Sequence, residues 1–254
     1  MASGVPQFER RCLFCDARHV TKTHTFARQY TSMFERDGHK SQIRHDRTDP
    51  ETGETILLKR AGTFAHKPRA ACQGCNGGWM RELEETVGPV LDDFATGQPT
   101  LVTAREQERL ATWALAALLV HFQMEPQELR FADPRLAREL YRLQTVPPGT
   151  QVWLGANDHG EMAWVGTHSL QLVERDDSTG AWGASLSFGH ANFHVMHHGE
   201  TGRLLCLTGR AHQQLSRIFP TVPGVRWPPQ GVVSTRDLTP LAHMVNDEGV
   251  FRPV

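Results

Sequence analysis

The chain has 254 residues, of which 39% are hydrophobic and 22% charged, and its net charge is -1. This composition excludes a disordered, fibrous or collagen-like chain and leaves enough apolar material for a real core, in one large domain or two small ones. The N-terminal MASGVPQFERRC is charged without an apolar centre and does not read as a signal peptide, and no stretch reaches the roughly 18 apolar residues of a membrane span, so the expected location is cytoplasmic, with no membrane partner.

In chain order, Pro6 to Met80 is polar, turn-rich and Cys/His-bearing, with short strands expected around Thr55 to Leu58 and a Gly/Asp/Thr/Pro-rich loop at 46–54. From Trp79 onward Met80, Leu83, Val87, Val90 and Leu91 recur at helical spacing, which predicts a helix ending near Phe94 and kinked at Gly88 and Pro89. ATGQPTLVT (95–103) is a linker whose Thr103 is placed to cap the next helix, with Glu106 as its capping-box partner. That helix, AREQERLATWALAALLVHFQM, is apolar from Trp113 to Phe122, too short for a bilayer and suited to a buried central position. A further amphipathic helix is predicted from Pro134 to Leu143, stopped by Pro147 and Pro148. The texture then becomes that of a sheet: TQVWLGAND, EMAWVGTH, SLQLVER, WGASLSFGHANFHVMHH and RLLCLTG are rich in β-branched and aromatic residues and separated by turn residues. A short helix at 210–218 and a Pro-rich tail, FPTVPGVRWPPQG, complete the pattern. The fold class is α+β. Its expected division is a zinc-stapled module over 1–95, followed by a helix and antiparallel-sheet domain over 104–254.

The modest net charge conceals an asymmetry. Residues 1–81 carry 14 Lys plus Arg against 8 Asp plus Glu, and residues 82–254 carry 13 against 20. A basic N-terminal part can neutralise phosphates, although a solvated surface accounts for the same surplus. The same part holds four of the 5 cysteines, in CLFC (Cys12, Cys15) and CQGC (Cys72, Cys75), with 56 residues between the pairs. Two-residue spacing lets both thiolates of a knuckle face one ion, so the two knuckles predict a closed four-sulfur zinc site; two redox dithiols or unrelated cysteines are the alternative. Zinc would also hold together a segment too polar to fold by burial alone. Cys206, in an apolar stretch, reads as an ordinary buried thiol.

Between the knuckles lies THTFA, in which His24 follows Cys15 by nine residues, and Asn76 follows Cys75 directly. CxxC, a histidine, then CxxC with Asn behind it resembles the four-cysteine, zinc-bearing branch of the HNH (ββα-metal) endonucleases, the branch of phage endonuclease VII. CQGCNGGWMRELE, TWALAALLV and VRWPP are similar to stretches of bacterial HNH-like proteins, so the likeness runs along nearly the whole chain. The resemblance implies that His24 is the general base that activates water. It also implies that Asn76 holds or orients a catalytic magnesium or manganese ion, while the four cysteines hold structural zinc. The residue before the base, normally acidic in the family, is Thr23, and Ala27 stands where a proline is usual. The carboxylate role therefore passes to Glu84, which the WMxxLE pattern marks on the following helix.

The expected function is metal-dependent hydrolysis of nucleic-acid phosphodiesters, with DNA as the expected substrate. The alternative is a catalytically impaired zinc-stabilised module that binds nucleic acid or protein. Arg60, Lys67, Arg69 and Arg81 flank the second knuckle and are candidates for positioning phosphates, and solvent exposure explains them equally well. Self-association is left open. HANFHVMHH puts His190, His194 and His198 on one face of a strand, with His197 on the other; a polar strand face is the simpler reading than a second metal site. The 6 Trp and His121 read as core packing.

Overall fold

The computed structural model describes residues 11–24, 26, 30, 42–48, 55–62, 67–124, 133–157, 163–169, 182–199, 214–229 and 231–233, with 42–48, 55–62 and 163–169 described by their backbone. Ala27, Cys206, the Arg60 side chain, most of the loop at 46–54 and the strands expected at 170–175 and 203–209 lie outside this description.

The elements are β1 (Val20–Lys22), β2 (Gln42–Thr48), β3 (Thr55–Gly62), β4 (Arg69–Cys72), α1 (Gln73–Gly77), α2 (Trp79–Ala95), β5 (Thr100–Val102), α3 (Ala104–Phe122), α4 (Pro134–Leu143), β6 (Thr150–Asn157), β7 (Ala163–Ser169), β8 (Trp182–Phe188), β9 (Ala191–His197), β10 (Leu215–Phe219), β11 (Val225–Trp227) and β12 (Val232–Val233). The mixed α+β architecture matches the expected class.

Strands β10, β6, β9, β8, β7, β2 and β3 lie side by side in that order, and β12 extends the β10 edge of β6. Most neighbours are antiparallel. Two pairings are parallel, β2 with β7 and β12 with β6, so the sheet is not purely antiparallel as expected. Hairpin β2–β3, drawn from the N-terminal part, thus forms the edge of a sheet otherwise made from residues beyond 150. Strand β2 also runs through Asp46–Thr48, where a loop was expected.

Alternation along β6, β8 and β9 gives the sheet two different faces. Val152, Leu154, Ala184, Leu186, Phe193 and Val195 join one buried cluster with α2 and α3. Trp113 of α3 sits at its centre, with ring centroids 5.5 Å from Phe193 and 5.6 Å from Phe188. Helix α3 is buried along nearly its whole length, and this explains an apolarity that would be out of place on a surface helix. Among the described residues no helix is long and apolar enough to cross a membrane.

Local signals set the helix ends. Thr103 Oγ1 accepts from the Glu106 N–H at 3.3 Å, and the Glu106 carboxylate accepts from the Thr103 N–H at 2.8 Å, which is the expected capping box. Asp133 caps α4, with Pro134 at its first position, and Gln144 ends it in the left-handed region at φ 56°.

The helix expected at 210–218 is corrected in its described part. Leu215–Phe219 is a strand on β6, with a register shift between Arg217 and Phe219. Its backbone groups complete the hydrogen bonds of an otherwise open edge while Leu215 and Ile218 are buried, a non-local gain that overrides local helical texture. The Pro-rich tail is anchored by Trp227. Its indole N–H donates to the Gly155 carbonyl at 3.1 Å and its ring lies 4.6 Å from that of Phe94.

Candidate metal centre and the residues around it

A two-stranded antiparallel ribbon, β1 with β4, pairs Val20 with Cys72, Thr21 with Ala71 and Lys22 with Arg69, and it leads directly into α1 and α2. The first knuckle is docked on this ribbon by the Leu13 N–H, which donates to the Ala70 carbonyl at 2.8 Å, and is closed on itself by the Cys12 N–H, which donates to the Ala17 carbonyl at 2.8 Å. Asp16 takes φ 61° just after Cys15, a left-handed position that a short polar side chain tolerates. At the second knuckle Cys72 is the N-cap of α1, and its Sγ accepts from the Cys75 N–H at 3.5 Å.

The two knuckles meet. The Sγ atoms of Cys12, Cys15, Cys72 and Cys75 all lie within 4.8 Å of one another, and Cys15 and Cys72 approach to 3.5 Å. A tetrahedral ion bound by thiolates at about 2.3 Å requires sulfur–sulfur edges of about 3.8 Å, so the cluster has the dimensions of a zinc site. All four are free cysteines. Their electrostatics also suit a cation. Burial pushes the Cys15 and Cys75 thiols up, whereas Cys72, despite its own burial, is brought down to about 7 by the Cys75 N–H and the neighbouring thiols. Four crowded sulfurs cannot ionise together without a positive charge among them, and a bound dication supplies it. Among the described residues no other group of His, Cys, Asp or Glu is arranged to hold a metal ion.

The knuckles also build the adjoining core. Phe14, at the tip of the first, is fully buried and meets Trp79 edge-on at 5.0 Å, and Trp79 in turn packs on Tyr141 of α4 at 5.8 Å. Of the two glycines behind Asn76, only Gly78 is sterically required. A Cβ there would come within 2.5 Å of the Gly74 carbonyl oxygen, whereas one at Gly77 would meet nothing closer than 3.5 Å. The bend between α1 and α2 therefore turns on Gly78.

Around this centre, His24 is half-buried two residues beyond the end of β1, and Asn76 is half-buried in α1. Glu84, on α2, is half-buried beside a hollow of about 10 Å³ formed with Met80, Leu83, Trp113, Ala116 and Ala117. Burial, with a smaller push from the Glu85 charge, raises the Glu84 carboxyl to about 7. The chain after His24 returns to this turn of α2: the Tyr30 hydroxyl donates to the Glu84 carbonyl at 3.0 Å, and Phe26 and Tyr30 pack on Trp113 and Phe188. Sequence reasoning missed Tyr30, and no local pattern marks it.

Thr23 has a clear structural task. It is fully buried, its N–H donates to the Pro68 carbonyl at 2.8 Å, and its Oγ1 accepts from the Ala71 N–H at 3.1 Å. The hydroxyl ties β1 to β4 where their register shifts, and a carboxylate in its place would be buried against a strand.

Of the basic candidates, Arg81 is engaged by Glu85 at 2.7 Å, whereas Lys67 and Arg69 are exposed. Exposed Lys22 lies opposite Arg69 in the register, and none of these three makes an ion pair among the described residues. Lys22 was not singled out from sequence, because only the pairing of β1 with β4 brings it to Arg69.

The histidine-rich strand is a polar face. His194 is fully buried with its Nδ1 2.8 Å from Ser185 Oγ, and His197 Nδ1 lies 2.8 Å from Thr150 Oγ1. Burial lowers both imidazoles to about 4, so both are neutral at pH 7. His190 is exposed in the turn before β9. His121 and Trp113, Trp153, Trp182 and Trp227 are buried, as expected of core residues.

The chain matches no family, no curated protein and no solved structure with which it was compared, so what it can do is read from these residues.

Proposed function

We propose that the protein is a metal-dependent HNH-type endonuclease that hydrolyses nucleic-acid phosphodiester bonds, with DNA as its substrate. The observation that carries this reading is the order of parts around the four thiols. An antiparallel ribbon leads into α1 and then α2, with His24 just past the first strand, Asn76 directly behind Cys75 in α1 and Glu84 on α2, beyond the bend at Gly78. In this reading the zinc is structural and fixes the ribbon on which the other groups depend. His24 takes the proton from the attacking water. The Asn76 amide and the Glu84 carboxylate are the groups that would hold a magnesium or manganese ion, which would supply charge neutralisation at the scissile phosphate. Lys22 and Arg69, opposite each other on the ribbon, and Lys67 next to it make no ion pair among the described residues and would serve flanking phosphates.

The test is plasmid cleavage by purified protein in magnesium or manganese. Wild type should nick the plasmid, and His24→Ala should abolish nicking while keeping the zinc content of wild type. Equal inertness of both proteins across metals and substrates would falsify the enzyme reading.

One observation favours a second reading, a zinc-stabilised module that binds nucleic acid without cutting it. The position before His24 is a buried threonine whose hydroxyl serves the ribbon. Tight DNA binding with no cleavage in any metal would select this alternative.

A further inference from the structure

We infer that the cleft between α2 and α3 binds a phosphate group. The cleft has a volume of about 140 Å³ and is distinct from the hollow beside Glu84, with which it shares Leu83: Trp79 and Leu83 form its wall, Arg105 and Arg109 stand on α3, and Gln144 closes it from the end of α4.

Two cations of the cleft lack a counterpart among the described residues. Arg105 and Arg109 are one helical turn apart on the same face, and neither makes an ion pair or a hydrogen bond among the described residues. Like charges at this spacing repel. Arg105 also lies in the first turn of α3, where the helix already presents positive charge, and a cation there is disfavoured unless an anion joins it.

The rest of the lining decides the class of ligand. Among its described lining residues Glu82 is the only carboxylate, so two guanidinium groups leave a surplus of one positive charge. The Thr86 and Thr112 hydroxyls donate to their own helix carbonyls, those of Glu82 and Glu108, at 2.7 Å each, and one N–H of the Gln144 amide goes to the Tyr141 carbonyl, so the two guanidinium groups and the other Gln144 N–H remain as donors among the described lining residues. Several donors around one small volume suit a tetrahedral oxyanion with several acceptor oxygens, and the planar fork of arginine is the side chain best matched to phosphate. The phosphate can come from a free small molecule or from a nucleic-acid backbone.

This inference does not depend on the nuclease reading, because its readout is binding and not cleavage. Inorganic phosphate, adenosine 5′-monophosphate and a single-stranded oligonucleotide would each be titrated into the zinc-loaded 254-residue protein by calorimetry. Inorganic phosphate should bind saturably at one site per chain. Arg105→Gln and Arg109→Gln should each weaken binding by about tenfold or more, with thermal melts unchanged, whereas Arg142→Gln, on the exposed face of α4, should leave it as in wild type. A mononucleotide that binds as tightly as the oligonucleotide identifies a free phosphate ligand, and a much tighter, salt-sensitive oligonucleotide identifies the backbone. The proposal is overturned if phosphate fails to saturate, or if all three substitutions weaken it equally.

Discussion

Strands β1 and β4 are three and four residues long, whereas β6, β8 and β9 are seven or eight residues long and buried almost throughout. The short ribbon has little apolar surface to bury, and its cohesion comes from four sulfurs, a few backbone hydrogen bonds and the Phe14–Trp79 contact. The long strands have α3 and the Trp113 cluster behind them and require no ion. The two regions share one core, so the difference between them is what would be lost first, and under which insult.

The largest expected effect comes from removing zinc. Structural zinc contributes roughly 10 kcal/mol or more of binding free energy that is also folding free energy. A strong chelator, or Cys75→Ser, should therefore abolish hydrogen-exchange protection at 11–24 and 67–78 while α3 and β6 to β9 stay protected. A uniform loss of protection, or none, would refute the division of labour.

A cavity in the other region should produce the converse. Phe193 is fully buried against Trp113 and Phe94, and Phe193→Ala should cost about 3–5 kcal/mol in urea unfolding. The variant should still bind one zinc per chain. Loss of the metal along with stability would show that the regions fail together.

The smallest effect concerns Glu84, which lies where the two regions meet. Its carboxyl is raised to about 7 in the folded protein against an ordinary 4.5, mainly by burial. Below about 4.5 the group is protonated whether folded or not, and as pH rises through about 7 the folded chain has to ionise it in a half-buried place, so its contribution to stability is lost over that window. Glu84→Gln should flatten this decline, measured as urea midpoints at pH 5, 7 and 8.5 relative to wild type. Parallel curves for the two proteins would mean that Glu84 titrates as an ordinary surface carboxylate.

Helices α2, α3 and α4 were legible because their signals are local: apolar spacing, the Thr103–Glu106 box, and Pro134 behind Asp133. The four cysteines were legible because ligand spacing is itself chemistry. What sequence did not reveal depends on distant partners. Nothing in QIRHDRT announces that it will pair in parallel with AWVGTHS, and LSRIF reads as helix until β6 offers it an edge. At the candidate site the residue types could be read, but their surroundings could not. The buried hydroxyl of Thr23 depends on Ala71, 48 residues away, and the raised carboxyl of Glu84 depends on the packing of α2 against α3.

The span of the metal centre has a consequence for the unfolded chain. Cys15 and Cys72 are 57 residues apart, and the segment between them includes β2 and β3, which leave the ribbon to join the edge of the sheet. An ion gripping both knuckles closes that segment into a loop, and the entropy it removes from the denatured ensemble grows with the length enclosed. Zinc would therefore stabilise the distant sheet edge without touching it, by restricting the enclosed β2–β3 segment in the denatured ensemble.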